Sequence, residues 1–312
     1  MTISTESLLE GLNSVISIPL IPFNNDEIDY DGHAKNIDYL MNNNHLSNNR
    51  PRVISIAGTS LVHHVKPDEQ VRLIDIAGQQ MGDRGILIAA LIPNPIGVMS
   101  DLIETLSKLN RPPDAYLIMP LGGTYSPEGL YETFIKLADY HAKKHNARFL
   151  YYYRRPRDRE VIIKLIQDSP HFIGVKIGTN EADVKPFVDA LDDSKIVIWG
   201  IGDRSTAAAE MGAKGHTSGI NIVVAKASDA INNAQLAGDY ATARKVEADI
   251  APLEDIRFVN ERAYNYSAVM EAIILADFDD VVAGSGGPFN PRVPADVANE
   301  IKKIVENIRH YH

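Results

Sequence analysis

The stretch FIGVKIGTNEADVKPFVDALDDSKIVIWGIGDRSTAAAEMGAKGHTSGI, residues 172–220, decides the fold. It holds three short runs, FIGVKIG (172–178), KIVIWG (195–200) and GHTSGI (215–220), with helix-forming material over 181–191 and 203–211 between them. The first two are too continuously apolar for strands that keep one face in water. Strands buried on both faces belong to a parallel sheet covered by helices.

Outward from this stretch the same alternation repeats toward the amino end. Apolar runs at 15–22, 53–58, 85–92 (GILIAALI), 115–120 (AYLIMP) and 148–153 (RFLYYY) are each followed by a helical pattern, at 31–41, 67–81, 100–109, 127–143 and 158–167. Pro67, followed by two acids, is a helix start. Eight strand candidates with helices between them predict an α/β protein, a (β/α)8 TIM barrel. An open doubly wound sheet is the competing arrangement, but the first strand has no G-x-G-x-x-G, and GIGDRS (200–205) follows the seventh strand.

Toward the carboxyl end, helical patterning at 235–253, 261–276 and 294–308 predicts a helical extension rather than a second domain. The expected division is 1–224 for the barrel core and 225–312 for the last barrel helix and C-terminal helices, all one structural unit. The polar segment NNNHLSNNRPR (42–52) breaks the rhythm before the second strand and reads as a solvent-facing loop. Asp203 reads as the cap of the helix after the seventh strand.

Composition narrows the chemistry. With 31 Lys and Arg against 41 Asp and Glu, the chain carries a formal charge of -10, and no basic cluster interleaved with aromatics points to nucleic acid. The absence of cysteine excludes disulfides, thiolate nucleophiles and thiolate metal ligands. No apolar run is long enough to span a membrane, and the amino end lacks a basic segment followed by an apolar one, so a cytoplasmic location is expected. His63 and His64 do not make a metal site by adjacency alone. No metal and no cofactor is expected.

In an eight-stranded barrel, residues at the carboxyl ends of the strands converge on one mouth. Lys176 is unusual there, because an ammonium within an apolar strand is costly, and desolvation favours a neutral amine able to attack a ketone. Tyr151, Tyr152 and Tyr153 end the fifth strand, with Tyr151 and Tyr153 on one side and Tyr152 on the other. One of these hydroxyls beside the lysine suits proton relay, and Arg154, Arg155 and Arg157 offer paired donors to a substrate carboxylate.

These residues carry a resemblance. From the first strand through the helix near 261–275, the chain resembles the dihydrodipicolinate synthase and N-acetylneuraminate lyase superfamily, which also holds 2-keto-3-deoxy sugar-acid aldolases and dehydratases. FIGVKIG resembles the I-x-G-x-K strand and implies a Schiff base between Lys176 and a 2-oxo acid. Tyr153-Arg154-Arg155-Pro156 resembles the Y-x-x-P segment and implies Tyr153 as the proton relay. SIPLIPF, GAKGHTSG, NYSAVMEA and GPFNPRVP match the layout of the superfamily.

Departures bear on the reaction. The usual G-T-T-G-E is replaced by Ala57-Gly58-Thr59-Ser60-Leu61, which keeps Thr59 at the second threonine position and offers Ser60 as a substitute hydroxyl. The P-Y-Y segment that supplies an aromatic relay from a neighbouring subunit is replaced by Pro120-Leu121-Gly122-Gly123-Thr124-Tyr125. Gly202, Ser218 and Asn221 fall where relatives shape the substrate pocket.

The resemblance therefore implies a metal-independent class I lyase, with Lys176, Tyr153 and Thr59 catalytic. Ser60, Arg154, Arg155, Arg157, Gly202, Ser218 and Asn221 are the expected substrate-binding residues. The leading expectation is an aldolase or dehydratase for a 2-keto-3-deoxy sugar acid. Dihydrodipicolinate synthase, condensing pyruvate with aspartate semialdehyde, and a noncatalytic oxo-acid-binding regulator are the alternatives. The expected partner is a small-molecule 2-oxo acid, and the resemblance implies a homotetramer or homodimer.

Overall fold

A computed structural model describes residues 3–312. Strands β1 (Val15–Ser17), β2 (Arg52–Ile56), β3 (Gly85–Leu91), β4 (Ala115–Ile118), β5 (Phe149–Tyr153), β6 (Phe172–Ile177), β7 (Ile196–Trp199) and β8 (His216–Ser218) pair in sequence order, all parallel, and β8 returns to β1 to close the barrel. This is the (β/α)8 barrel predicted from the alternation. Every residue of these strands is buried, as the apolar runs require when side chains face either the barrel interior or the helices.

Helix α1 (Thr5–Leu12) precedes β1. After the strands come α2 (Tyr30–Asn42), α3 (Pro67–Met81), α4 (Ile96–Leu106), α5 (Pro127–His145), α6 (Arg159–Asp168), α7 (Val184–Ala190), α8 (Thr206–Glu210) and α9 (Ala225–Leu236). Local signals set most of their starts. Pro67 opens α3 while the Glu69 carboxylate accepts from Lys66 N–H at 2.7 Å, and Ser126 Oγ caps α5 by accepting from Gly129 N–H at 3.0 Å. Helix α4 begins at Ile96, four residues before the expected start, because Pro95 ends the preceding loop directly ahead of it.

One expectation here is corrected. Asp203 does not cap α8. The Ser205 and Thr206 N–H groups donate to the Glu247 carboxylate at 2.8 and 2.7 Å, so the cap comes from a later helix. The segment 42–52 is the mostly solvent-facing loop expected, and it is anchored at several points. His45 N–H donates to Asp229 at 2.7 Å, Ser47 N–H donates to Asn233 at 2.8 Å, and Arg52 forms a two-pronged pair with Asp229 at 2.8 and 2.7 Å, both side chains fully buried. This strap precedes β2, at the end of the barrel opposite the mouth, and it ties β2 to α9.

The tail folds as α10 (Tyr240–Arg262), α11 (Ser267–Ala276) and α12 (Ala295–Ile308). The predicted helix at 235–253 is instead the end of α9 and the start of α10, divided where Gly238 turns at φ 74° and Asp239 caps Thr242 N–H. The tail packs on the barrel. Tyr266 donates to the Ile21 carbonyl at 2.8 Å, and the Asn36 amide bonds the carbonyls of Leu20 and Val282 at 3.0 and 2.8 Å, joining the β1–α2 loop to the segment after α11.

Candidate active site

Lys176 and Tyr152 are register partners across β5 and β6. Residues at one level of neighbouring parallel strands point the same way, so both side chains enter the barrel. Lys176 Nζ lies 4.2 Å from the centroid of the Tyr152 ring, at the floor of a cavity of about 460 Å³ that opens at the carboxyl ends of the strands. A Cβ at Gly200, on the far side of the lysine, would stand 2.8 Å from Lys176 Cγ and 2.9 Å from Cε. The glycine makes room for the lysine stem.

The same register turns Tyr153 away. Its ring is fully buried against Phe187 of α7, with centroids 4.9 Å apart, outside the barrel wall, and it does not line the cavity. Burial pushes its phenol up to about 12. The expectation for Tyr153 thus gives way to Tyr152. Strand alternation separates the two correctly, but three successive tyrosines do not reveal which parity faces inward; the pairing with Lys176 does.

Electrostatics distinguish these tyrosines further. Burial alone would raise the Tyr152 phenol, yet Lys176, Arg262 and Arg154 outweigh burial and bring it down to about 7. Arg262 and Arg154 approach the Tyr152 hydroxyl to 3.2 and 3.4 Å. Burial, with Arg262, Arg154 and Arg257 adding to it, lowers Lys176 from its ordinary range, while Tyr152 acts in the opposite sense. An amine lowered by burial and a phenol brought down to about 7 are a nucleophile and a proton shuttle within reach of one substrate.

Of the expected residues, the structure brings Lys176, Thr59, Arg154, Arg155 and Gly202 to the cavity. Gly202 adopts φ 63°, and a Cβ there would fall 2.3 Å from Glu254 Oε1. The others stand elsewhere. Ser60 Oγ donates to the Pro19 carbonyl at 2.6 Å, and Ser218 Oγ donates to Asp203 at 2.6 Å behind the wall. Asn221 accepts from Ser17 Oγ at 2.6 Å. Arg157 is exposed, with its guanidinium 4.5 Å from the Tyr125 ring centroid, and Tyr125 itself donates to Asp158 at 2.5 Å. On β8 the cavity-facing positions are Thr217 and the adjoining Gly219, of opposite parity to Ser218.

Sequence reasoning missed the contribution of α10. This helix breaks near its end, where Asn260, Glu261 and Arg262 adopt φ of 46°, 60° and 79°, a left-handed run without glycine. Arg257 and Phe258, just before the break, and Arg262 and Asn265, at and beyond it, line the cavity. Arg257 is neutralised from behind by buried Glu254, and it donates to Asn265 Oδ1 at 2.7 Å, while Asn265 Nδ2 donates to Thr59 at 3.4 Å. No helical period extends through a broken helix, so EDIRFVNERAYN carries no pattern that singles these residues out. Among the described residues no carboxylate lines the cavity, although the chain as a whole is acidic.

The Dihydrodipicolinate synthetase family matches residues 115–307, more than half of the chain. The chain belongs to this family. It is accordingly an enzyme of the family's class I lyase type. The 4-hydroxy-tetrahydrodipicolinate synthase of Marinobacter nauticus is 26% identical over 254 residues, 79% of this chain and 82% of that protein. The synthase of the same name from Methanosarcina mazei is 30% identical over 154 residues, covering 46% of this chain and 50% of that one. Among solved structures, dihydrodipicolinate synthase from Bacillus clausii superposes with a TM-score of 0.85 at 18% identity, covering 96% of this chain and 98% of the other. That from Oceanobacillus iheyensis gives 0.83 at 19% identity, covering 97% and 98%. At these identities the superpositions establish the shared barrel with its C-terminal helices. Among the described residues of this family member, no helix is long and apolar enough to cross a membrane.

Proposed function

We propose that the protein is a Schiff-base enzyme of 2-oxo acids that condenses pyruvate with aspartate semialdehyde, the reaction of 4-hydroxy-tetrahydrodipicolinate synthase. One observation carries the Schiff-base chemistry: the buried Lys176 amine lies against the Tyr152 ring, whose phenol is brought to about 7 by Lys176 itself, then Arg262 and Arg154. The names of the relatives support this choice of reaction.

In this reading Lys176 Nζ attacks C2 of pyruvate, Tyr152 carries protons to and from the C2 oxygen, and water leaves as the iminium forms. The iminium draws electrons from C3. Loss of a C3 proton gives the enamine, which forms the new carbon–carbon bond at the aldehyde and regenerates the iminium; the amino group of the second substrate then adds at C2 and displaces the Lys176 amine, closing the ring. Arg154, Arg155 and Arg262 bind carboxylates, and Thr59, held by Asn265, orients an oxygen. The substrates are small molecules of the cytoplasm, and the assembly is a homotetramer or homodimer.

A second reading, cleavage or dehydration of a 2-keto-3-deoxy sugar acid, rests on the departures from the family's motifs at 57–61 and 120–125. Thr59 keeps one motif hydroxyl in the cavity lining, while Ser60 is turned onto Pro19 and Tyr125 donates to Asp158 outside that lining. A 2-oxo-acid panel followed by mass spectrometry, with borohydride trapping and peptide mapping, tests both readings. The expected results are a reduced pyruvate adduct on Lys176 and a condensation product with aspartate semialdehyde. Turnover with Lys176 unmodified would reject the Schiff base. Trapping at Lys176 with turnover of sugar acids alone would select the second reading.

A further inference from the structure

On the outside of the barrel, away from the cavity, α4 and α5 bring Glu104, His141 and His145 together. One ring nitrogen from each imidazole and a carboxylate oxygen lie within 4.8 Å of one another. The two histidines are four residues apart on α5, which places them on one face with rings stacked at 5.8 Å between centroids. Glu104 comes from α4, the neighbouring helix.

Hydrogen bonding determines which ring nitrogens are free. Ser107 has a single hydroxyl proton, and it donates to the Glu104 carbonyl at 2.9 Å. The same hydroxyl lies 3.0 Å from His145 Nδ1 and engages that nitrogen. His145 Nε2 is buried without a hydrogen-bond partner and faces Glu104 Oε1 at 3.7 Å. His141 is fully buried. Its Nε2 meets Ser100 Oγ at 2.8 Å, and its Nδ1 has no partner. Each imidazole thus has one nitrogen engaged by a serine and the other left over, the arrangement in which an outer hydrogen bond orients a metal-binding ring.

We propose that Glu104, His141 and His145 bind a divalent transition-metal ion that clips α4 to α5. Two imidazoles and one carboxylate suit zinc, cobalt or nickel, with the remaining position open to water. Around zinc, ligand atoms stand roughly 3.3 Å apart, so a cluster spanning up to 4.8 Å must contract to hold the ion. The other groups at the site are Tyr140, whose hydroxyl donates to Glu104 at 3.0 Å, and Lys144, which pairs with the same carboxylate. Lys144 is about half exposed and competes with the metal for Glu104.

The test uses full-length, tag-free protein stripped with a chelator and titrated with zinc chloride near neutral pH by calorimetry. Cobalt is titrated in parallel to read the ligand-field absorption of a nitrogen and oxygen site. Wild type is expected to take up one zinc per chain and to melt at higher temperature when loaded. Glu104→Gln and His145→Gln, both at partly exposed positions, are each expected to weaken uptake roughly 10-fold or more with unchanged circular dichroism. Lys144→Ala is expected to tighten it. Absence of saturable uptake by wild type would overturn the proposal. Uptake that both Glu104→Gln and His145→Gln leave intact would also overturn it, as an adventitious ion elsewhere.

Discussion

Tyr152 and Lys176 occupy the same level of adjacent parallel strands, and the lysine amine sits 4.2 Å from the centre of the tyrosine ring. A pair built into barrel walls is held more firmly than one carried on loops, since neither side chain can leave without disturbing β5 or β6. The first prediction tests which tyrosine that wall commits to chemistry. Tyr152→Phe keeps the ring and removes the proton carrier, so turnover should fall roughly 10²-fold to 10⁴-fold. Tyr153→Phe should stay near wild type, because its hydroxyl is buried outside the cavity without a partner. Steady-state rates of variants with matched folded content decide between them, and the reverse order would refute the assignment.

Arg262 is predicted to set the pH dependence. It lowers Tyr152 toward about 7, so the phenol's limb in the kcat/KM profile lies near neutrality. Arg262→Met removes positive charge from the phenolate, which raises the Tyr152 pKa and moves that limb to higher pH. Arg262→Lys should restore part of the shift. A profile that does not move would mean that Arg262 only shapes the cavity wall.

Asp229→Ala is predicted to cost stability and leave the chemistry alone. It strands the Arg52 guanidinium in a fully buried position and frees the strap at 42–52, a loss of about 3–5 kcal/mol. Urea denaturation measures the loss, and KM of the folded fraction should not change. A penalty below about 1 kcal/mol would show that water reaches Arg52 in the variant.

His33 predicts a loss of stability in mild acid. Fully buried, with Nε2 on the Leu73 carbonyl, it is lowered by burial to about 4. The unfolded chain takes up a proton on this ring near pH 6.5 while the folded chain does not. The stabilising contribution is therefore complete above about 6.5 and is lost as pH falls toward 4, on the order of 3 kcal/mol. Urea midpoints at neutral pH and at pH near 4 should differ less in His33→Asn than in wild type. Equal differences would place the acid sensitivity elsewhere.

The barrel was legible in the chain because burial on both faces of a strand leaves a local trace. FIGVKIG and KIVIWG are apolar throughout, and the one charge among them, Lys176, stands out for that reason. Helix starts at Pro67 and Pro127 are equally local, since a proline and its neighbours decide them. The amine, Thr59, the arginine pair 154–155 and Gly202 were accessible by the same route, because short motifs at strand ends converge wherever a parallel barrel closes.

What only the tertiary structure decided depends on contacts between distant segments. The inward parity of β5 follows from its pairing with β6, where the register shifts between Phe149 and Leu150, and a period of two cannot supply its own origin. Ser218 and Asn221 support the wall because Asp203, from the loop after β7, and Ser17, at the end of β1, claim them. Arg262 reaches Tyr152 across 110 residues of chain through a left-handed break in α10. Periodicity records which face of a segment is buried. It does not record what that face meets, and the cavity is made of such meetings.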